Sequence, residues 1–269
     1  IHKTGGNPFF INEFLNFLYK EHVIEFSFES GWSWDLTGIG RVQATDNVVD
    51  LMAKKITGLP EDSQEILKMG SCIGSYFTLS TLLSICGRQE EEVLQSLSII
   101  LQQGILTIVD GIYRFSHDRV LEAAYSLISE EEKALQHYRI GNIELLNTEK
   151  EKLHDKIFYI VNHLNSGIDL VREESEKIRL AELNLSAGEK ALTSNAYESA
   201  LKYFMGGIRL LDADCWQKNY NFTLALYQEA VTAAQLSANY KTMEELAEVV
   251  FQNAYKFFDK IKVYAAVIF

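Results

Sequence analysis

Proline, cysteine and histidine are all scarce in this 269-residue chain, and each scarcity excludes a class of protein. Two prolines, Pro8 and Pro60, leave long stretches in which nothing interrupts a helix. Three cysteines, Cys72, Cys86 and Cys215, are odd in number and scattered, with neither the CxxC spacing of a zinc site nor the density of a disulfide framework. They read as small buried apolar residues in a reducing compartment, which makes the cytoplasm the expected location. The six histidines stand one by one along the chain, and His154 and His163 are not at helical-face ligand spacing, so no metal site is expected. No apolar run is long enough to span a bilayer, and no membrane insertion is expected. Basic residues are in deficit: 25 Lys and Arg face 37 Asp and Glu, a formal net charge of -12. That balance opposes attraction to phosphate backbones and disfavours nucleic acid as a partner.

Recognisable catalytic loops are missing too. There is no GxxxxGK[ST] to cradle phosphates, no HExxH, no GxSxG and no GxGxxG, so no catalytic residue is assigned. The first residue is Ile, and the final "KVYAAVIF" carries no helix-stop residue; the chain is therefore expected to be an excerpt of something larger or a processed piece.

What the chain does have is apolar content, 47% hydrophobic, arranged mostly at three-and-four spacing. The expected fold is mainly α. "TGGNPFFINEFLNFLYK" opens on a turn, with Pro8 setting a helix entry and Phe10, Phe14, Phe17 and Leu18 on one face. "VIEFSFESGWSWDL" then alternates around Ser30-Gly31 and predicts a β-hairpin. "DNVVDLMAKKITGL" returns to the helical period, and "LPEDSQEILKMG" predicts a helix begun by Pro60 and stopped by Gly70. "TLSTLLSICG" and "QEEEVLQSLSIILQQG" predict two more, each closed by a glycine. "ILTIVDGIYRFS" predicts a second hairpin at Asp110-Gly111. Three short helices followed by a two-stranded wing, from Pro60 to Ser116, is the winged-helix order.

Everything after "HDRVLEAAYSLI" reads as consecutive helices. "SNAYESALKYFMGGI" from Ser194 and "SANYKTMEELAEVVF" from Ser237 align at an offset of 43 residues, pairing Tyr197 with Tyr240 and Ala200 with Met243. Gly188 and Ala200 are twelve apart, as are the small positions of a tetratricopeptide (TPR) unit, although the offset exceeds that family's ~34. A solenoid of TPR-like helical hairpins is expected. The domain expectation is 1–45 as a helix with its hairpin, 46–128 as the winged helix and 129–269 as the repeats.

Two short stretches carry candidate chemistry. In "GGNPFF", Gly6, Asn7 and Pro8 form either a plain loop-to-helix entry or a flat wall for an adenine ring. In "YRFSHDRVLEAAYSLI", Ser116 is expected to cap the helix leaving the wing, with His117 at its first position and Asp118 beside it. An imidazole N–H at a helix N-terminus can donate to phosphate; plain capping is the simpler reading.

Taken in order, "TGGNPFFINEFL", "NVVDLMAKKITGLP", "YRFSHDRVLEAAYSLI", "KIFYIVNHLNSG", "LAELNLSAGEKALTSNAYESALKYFMGGIRLL" and "DKIKVY" resemble large bacterial signalling proteins. In these, a Ser/Thr-kinase-like domain, a STAND/AAA-type ATPase module, helical repeats and a sensor histidine kinase share one chain. The resemblance implies that Gly6–Pro8 match the Gly-x-Pro of the NTPase lid, whose proline packs on adenine, and that His117-Asp118 match the winged-helix element whose histidine reaches the β-phosphate of ADP. It implies ATP or ADP as cofactor in the parent, a protein or small-molecule signal at the repeats, and kinase domains of the same parent as partners. The phosphate loop, Walker B acid and sensor arginine would lie upstream of Ile1. One departure is Ser116, where the apoptotic and plant-resistance relatives carry Met.

Three functions compete: a regulatory piece of a signalling NTPase, a pure interaction scaffold, and a DNA-binding winged helix. The last is weakest, because the expected recognition helix would begin Arg88-Gln89-Glu90-Glu91-Glu92 and bring three carboxylates to a polyanion.

Overall fold

A computed structural model describes residues 8–41 and 48–268. The chain is mainly helical, with two small antiparallel sheets among the described residues, and it divides into two compact units, Ile1–Ser129 and Glu130–Phe269.

The first unit opens with α1 (Pro8–Lys20), whose first residue is the helix-compatible proline. Phe14 and Leu18, one turn apart, are buried, each worth roughly 1.5–3 kcal/mol of transfer free energy. β1 (Ile24–Ser27) and β2 (Gly31–Trp34) form the first hairpin, with Ile24 opposite Trp34 and Phe26 opposite Trp32. The period of two places these apolar side chains on one face, and Phe26 and Trp32 have ring centroids 5.2 Å apart. That face is covered only in part: Trp32 and Trp34 remain about 60% exposed. A short α2 (Leu36–Arg41) follows, where no helix was expected; the Asp35 carboxylate accepts the Thr37 N–H at 2.9 Å and starts the turn. α3 (Val48–Thr57) buries Leu51, Met52 and Ile56.

The segment from Pro60 to Ser116 keeps the expected order with one addition. α4 (Glu61–Ile73), β3 (Tyr76–Thr78), α5 (Leu79–Cys86), α6 (Glu90–Gln102), β4 (Leu106–Val109) and β5 (Ile112–Phe115) precede α7 (Asp118–Ser126). Asp110 and Gly111, with φ of 52° and 76°, make the two-residue turn of the second hairpin. β3 pairs with β5 and makes a three-stranded sheet in the order β3-β5-β4. Three residues are too few to show alternation, so nothing in the sequence marks β3. Gly70 does not stop α4 as expected. It lies inside the helix and is buried, and a Cβ there would come within 2.7 Å of the Phe77 ring. This glycine serves close packing between helix and sheet; the stop is Gly74, at φ 144°.

The second unit contains helices throughout its described residues: α8 (Glu130–Asn147), α9 (Lys150–Ser166), a 3₁₀ turn at Ile168–Leu170, α10 (Glu174–Thr193), α11 (Tyr197–Arg209), the short α12 (Cys215–Lys218), α13 (Tyr220–Leu236), α14 (Tyr240–Asn253) and α15 (Phe257–Ile268). They pack in consecutive pairs, α8 on α9, α10 on α11 and α13 on α14, with α11 also against α13, in the manner of a helical-repeat solenoid. The 43-residue repeat is structural. Tyr197 and Tyr240 each begin a helix, and the turns before them contain Asn195 and Ala238 at φ of 57° and 58°. Packing inside the two pairs uses opposite size distributions. A Cβ on Gly188 would sit 2.2 Å from the Phe204 ring, whereas the positions 43 residues on are Val231 and Ala247, both buried. A small residue on the first helix is matched by a large one on the second, and the reverse one repeat later.

Candidate functional site

The chemistry expected from sequence falls in the first unit. Gly6 and Asn7 lie outside the described residues. Pro8 is the first residue of α1 and is exposed. At the other end of the unit, β5 delivers the chain into α7, and here the structure corrects the expected capping. His117, not Ser116, is the N-cap: its backbone is extended, at φ -159° and ψ 152°, and its Nδ1 accepts the Arg119 N–H at 3.1 Å. Asp118 is the first helical residue, exposed, where its charge complements the helix dipole. The shift arises because Ser116 is held by the sheet side, its N–H donating to the Ile105 carbonyl at 3.0 Å.

This capping sets the chemistry of the imidazole. With Nδ1 an acceptor, the neutral ring carries its proton on Nε2, on the edge away from the helix's backbone amides. His117 is half-buried, so its ring is held in place yet reachable. The geometry suits donation of an N–H to an anion rather than proton abstraction.

A cavity of about 770 Å³ opens between α1, α3 and the C-terminal end of α6, lined by Glu13, Phe17, Met52, Lys55 and Gln102 among others. Its size lies within the range of small-ligand clefts. Lys55 and Glu13 form a half-buried ion pair across it at 2.9 Å. Neither Pro8, His117 nor Asp118 lines this cavity.

The first turn of α6 exposes Glu90, Glu91 and Glu92, while Arg88 just before it is engaged by Asp62 at 2.6 Å, which raises the guanidinium pKa further. The carboxylates are presented outward, and the adjacent cation is occupied.

Sequence reading missed a histidine pair in the second unit. His137 on α8 and His163 on α9 lie 26 residues apart in the chain, and their Nδ1 atoms are 2.8 Å apart. One ring must donate and the other accept, so at least one Nδ1 is unprotonated. His163 is 7% exposed, and burial first, then the neighbouring His137, pushes its pKa down to about 4; burial and Lys133 lower His137 as well. The Tyr159 ring packs edge-on against His163, with centroids 4.5 Å apart. Among the described residues no group of three or more His, Cys, Asp or Glu could hold a metal ion. No separation of 26 residues announces such a pair in sequence, because only the helix-to-helix register creates it.

Two known proteins resemble this chain over most of its length. Hybrid signal transduction histidine kinase G of Dictyostelium discoideum is 26% identical over 94% of this chain and 9% of its own length. The peroxide stress-activated histidine kinase mak3 of Schizosaccharomyces pombe is 22% identical over 94% of this chain and 11% of its own. The chain thus spans about a tenth of the length of these relatives and is homologous to a region of signal-transduction histidine kinases. The resemblance drawn from sequence was to bacterial proteins; both of these relatives are eukaryotic. No protein-family model matches the chain, and no solved structure does. No helix among the described residues is long and apolar enough to cross a membrane.

Proposed function

We propose that this chain is a regulatory, non-catalytic region of a larger signalling kinase, in which the first unit engages an adenine nucleotide and the helical repeats sense a partner. Within the first unit, the three helices α4, α5 and α6 with the β4–β5 wing act as the winged helix of a STAND-type module; α1 is the end of the lid, and Gly6, Asn7 and Pro8 border the adenine. His117 is the latch, its Nε2–H donating to the β-phosphate of ADP while Nδ1 is tied to the α7 backbone. ATP or ADP is the cofactor of the intact parent, with the phosphate loop supplied by preceding residues. Kinase domains of the same chain receive the output.

Similarity to signal-transduction histidine kinases over 94% of the chain carries this proposal. The capping geometry at His117 supports the latch, because Nδ1 is engaged by the Arg119 N–H and the proton of the neutral ring is therefore on Nε2, the nitrogen the latch requires as donor. Switching requires an element that makes different contacts in two states, and a histidine that contacts only the ADP-bound form provides one.

The test is bound-nucleotide content of the purified full-length parent carrying His117→Ala or His117→Asn. Asparagine can still cap α7, so it separates the latch from the cap. Both variants are expected to retain at least tenfold less ADP than wild type, with α7 intact in the asparagine variant. Equal retention in all three chains removes the latch, and absence of nucleotide from the wild type leaves the repeats as an interaction scaffold.

A further inference from the structure

In the second unit, α9 and α11 bound a groove of about 750 Å³. Asn162 and Asn165 project from α9, and Ser199, Lys202, Tyr203 and Arg209 from α11. No carboxylate lines it, in a chain whose net charge is -12. Arg209 is paired at the rim with Asp169, an exposed and therefore exchangeable partner.

The asparagines are held from below. Asn184 of α10 is fully buried; its Oδ1 accepts from Asn165 Nδ2 at 2.8 Å, and its Nδ2 donates to Asn165 Oδ1 at 2.9 Å and to the Leu180 carbonyl at 3.0 Å. The Tyr203 hydroxyl donates to Asn162 Oδ1 at 3.0 Å. Gly206 completes the fit, since a Cβ there would stand 2.9 Å from Asn184 Oδ1 and 3.3 Å from Asn165 Nδ2. Burying a paired amide in an apolar core gains little over a leucine of similar size. What it provides is a fixed plane for Asn165.

A primary amide has two N–H groups and two lone pairs on oxygen. Asn165 uses one of each on Asn184, and Asn162 uses one lone pair on Tyr203. Each therefore keeps a donor and an acceptor, the pair needed to meet a peptide group. Residues three apart on a helix face are about 5–6 Å from one another, near the ~6.6 Å repeat of alternate residues in an extended strand. Lys202 and Arg209 lie seven residues apart, about 10 Å of helix rise, roughly three residues of extended chain.

We infer that this groove binds an extended acidic peptide segment, its main chain on the Asn162 and Asn165 amides and its carboxylates on Lys202 and Arg209. The inference rests on the repeats being the sensing part of the molecule, and it supplies the chemistry of what they sense.

The test is an array of random-sequence nonapeptides probed with the whole chain, followed by titration of the best captured peptide. Captured sequences should be enriched in Asp and Glu. Lys202→Gln, an exposed change, should weaken the titrated peptide about tenfold, as loss of one charge-assisted hydrogen bond implies, at unchanged melting temperature; Asn162→Ala, which also removes the acceptor of the Tyr203 hydroxyl, should weaken it several-fold in the chain that remains folded. Failure to capture any peptide, capture without acidic enrichment, or affinities unchanged in both variants would overturn the inference. Displacement of the peptide by equimolar glutarate would also overturn it, in favour of a small free diacid. Peptide capture reads the groove and nucleotide retention of the His117 variants of the full-length parent reads the latch, so either can fail while the other holds.

Discussion

Single residues here do more than one job, and His117 is the clearest case. Its Nδ1 organises α7 by accepting the Arg119 N–H, so His117→Ala also removes a cap and should cost about 1 kcal/mol of stability. His163 gives a pH signature. Its pKa is lowered from 6.5 to about 4, so between those values the unfolded chain binds the proton that the folded chain refuses. The stability contributed by the neutral ring is therefore complete above pH 6.5 and is lost as pH falls towards 4, by up to about 3 kcal/mol in all. Chemical denaturation of the second unit at pH 7 and at about pH 4.5 checks this; in His163→Gln the slope should become shallower by the part that His163 contributes. The motif around His117 was legible because a helix start must follow a hairpin, but which residue caps it was not. That choice depends on Ser116 being drawn to Ile105, a contact made only after the sheet forms.

Among elements, the long helices were readable and the short ones were not. α10 and α11 announce themselves by apolar spacing over 20 and 13 residues, whereas β3, three residues long, exists only because β5 offers it an edge. The repeat was readable because both copies must make the same turn, yet Ala238 occupies a left-handed conformation that L side chains resist. Ala238→Asn, matching Asn195 of the other copy, is expected to stabilise by about 0.5–1 kcal/mol, seen as a higher melting temperature. The size exchange between repeats yields a stricter test. Gly188→Val alone drives a side chain into Phe204 and should destabilise by roughly 1–3 kcal/mol. Adding Phe204→Ala reproduces the Val231 and Ala247 arrangement of the next repeat and should recover part of that loss. Simple additivity of the two changes in a thermal melt would contradict the packing described.

For the whole molecule, the division into Ile1–Ser129 and Glu130–Phe269 has a direct consequence, because the second unit holds an apolar core of its own running from Ile157 to Ala266. Expressed alone, residues 130–269 should be helical by circular dichroism and melt cooperatively; a fragment without a transition would show that the core needs the first unit. The three tryptophans make the two units optically separable. Trp32 and Trp34 lie on the exposed hairpin face of the first unit, and Trp216 is half-buried against Tyr220 and Tyr227 in the second. Replacing both hairpin tryptophans with phenylalanine leaves one tryptophan, Trp216, inside the repeats. The partly bare aromatic hairpin thus lets tryptophan emission report on the second unit alone, without any label being attached.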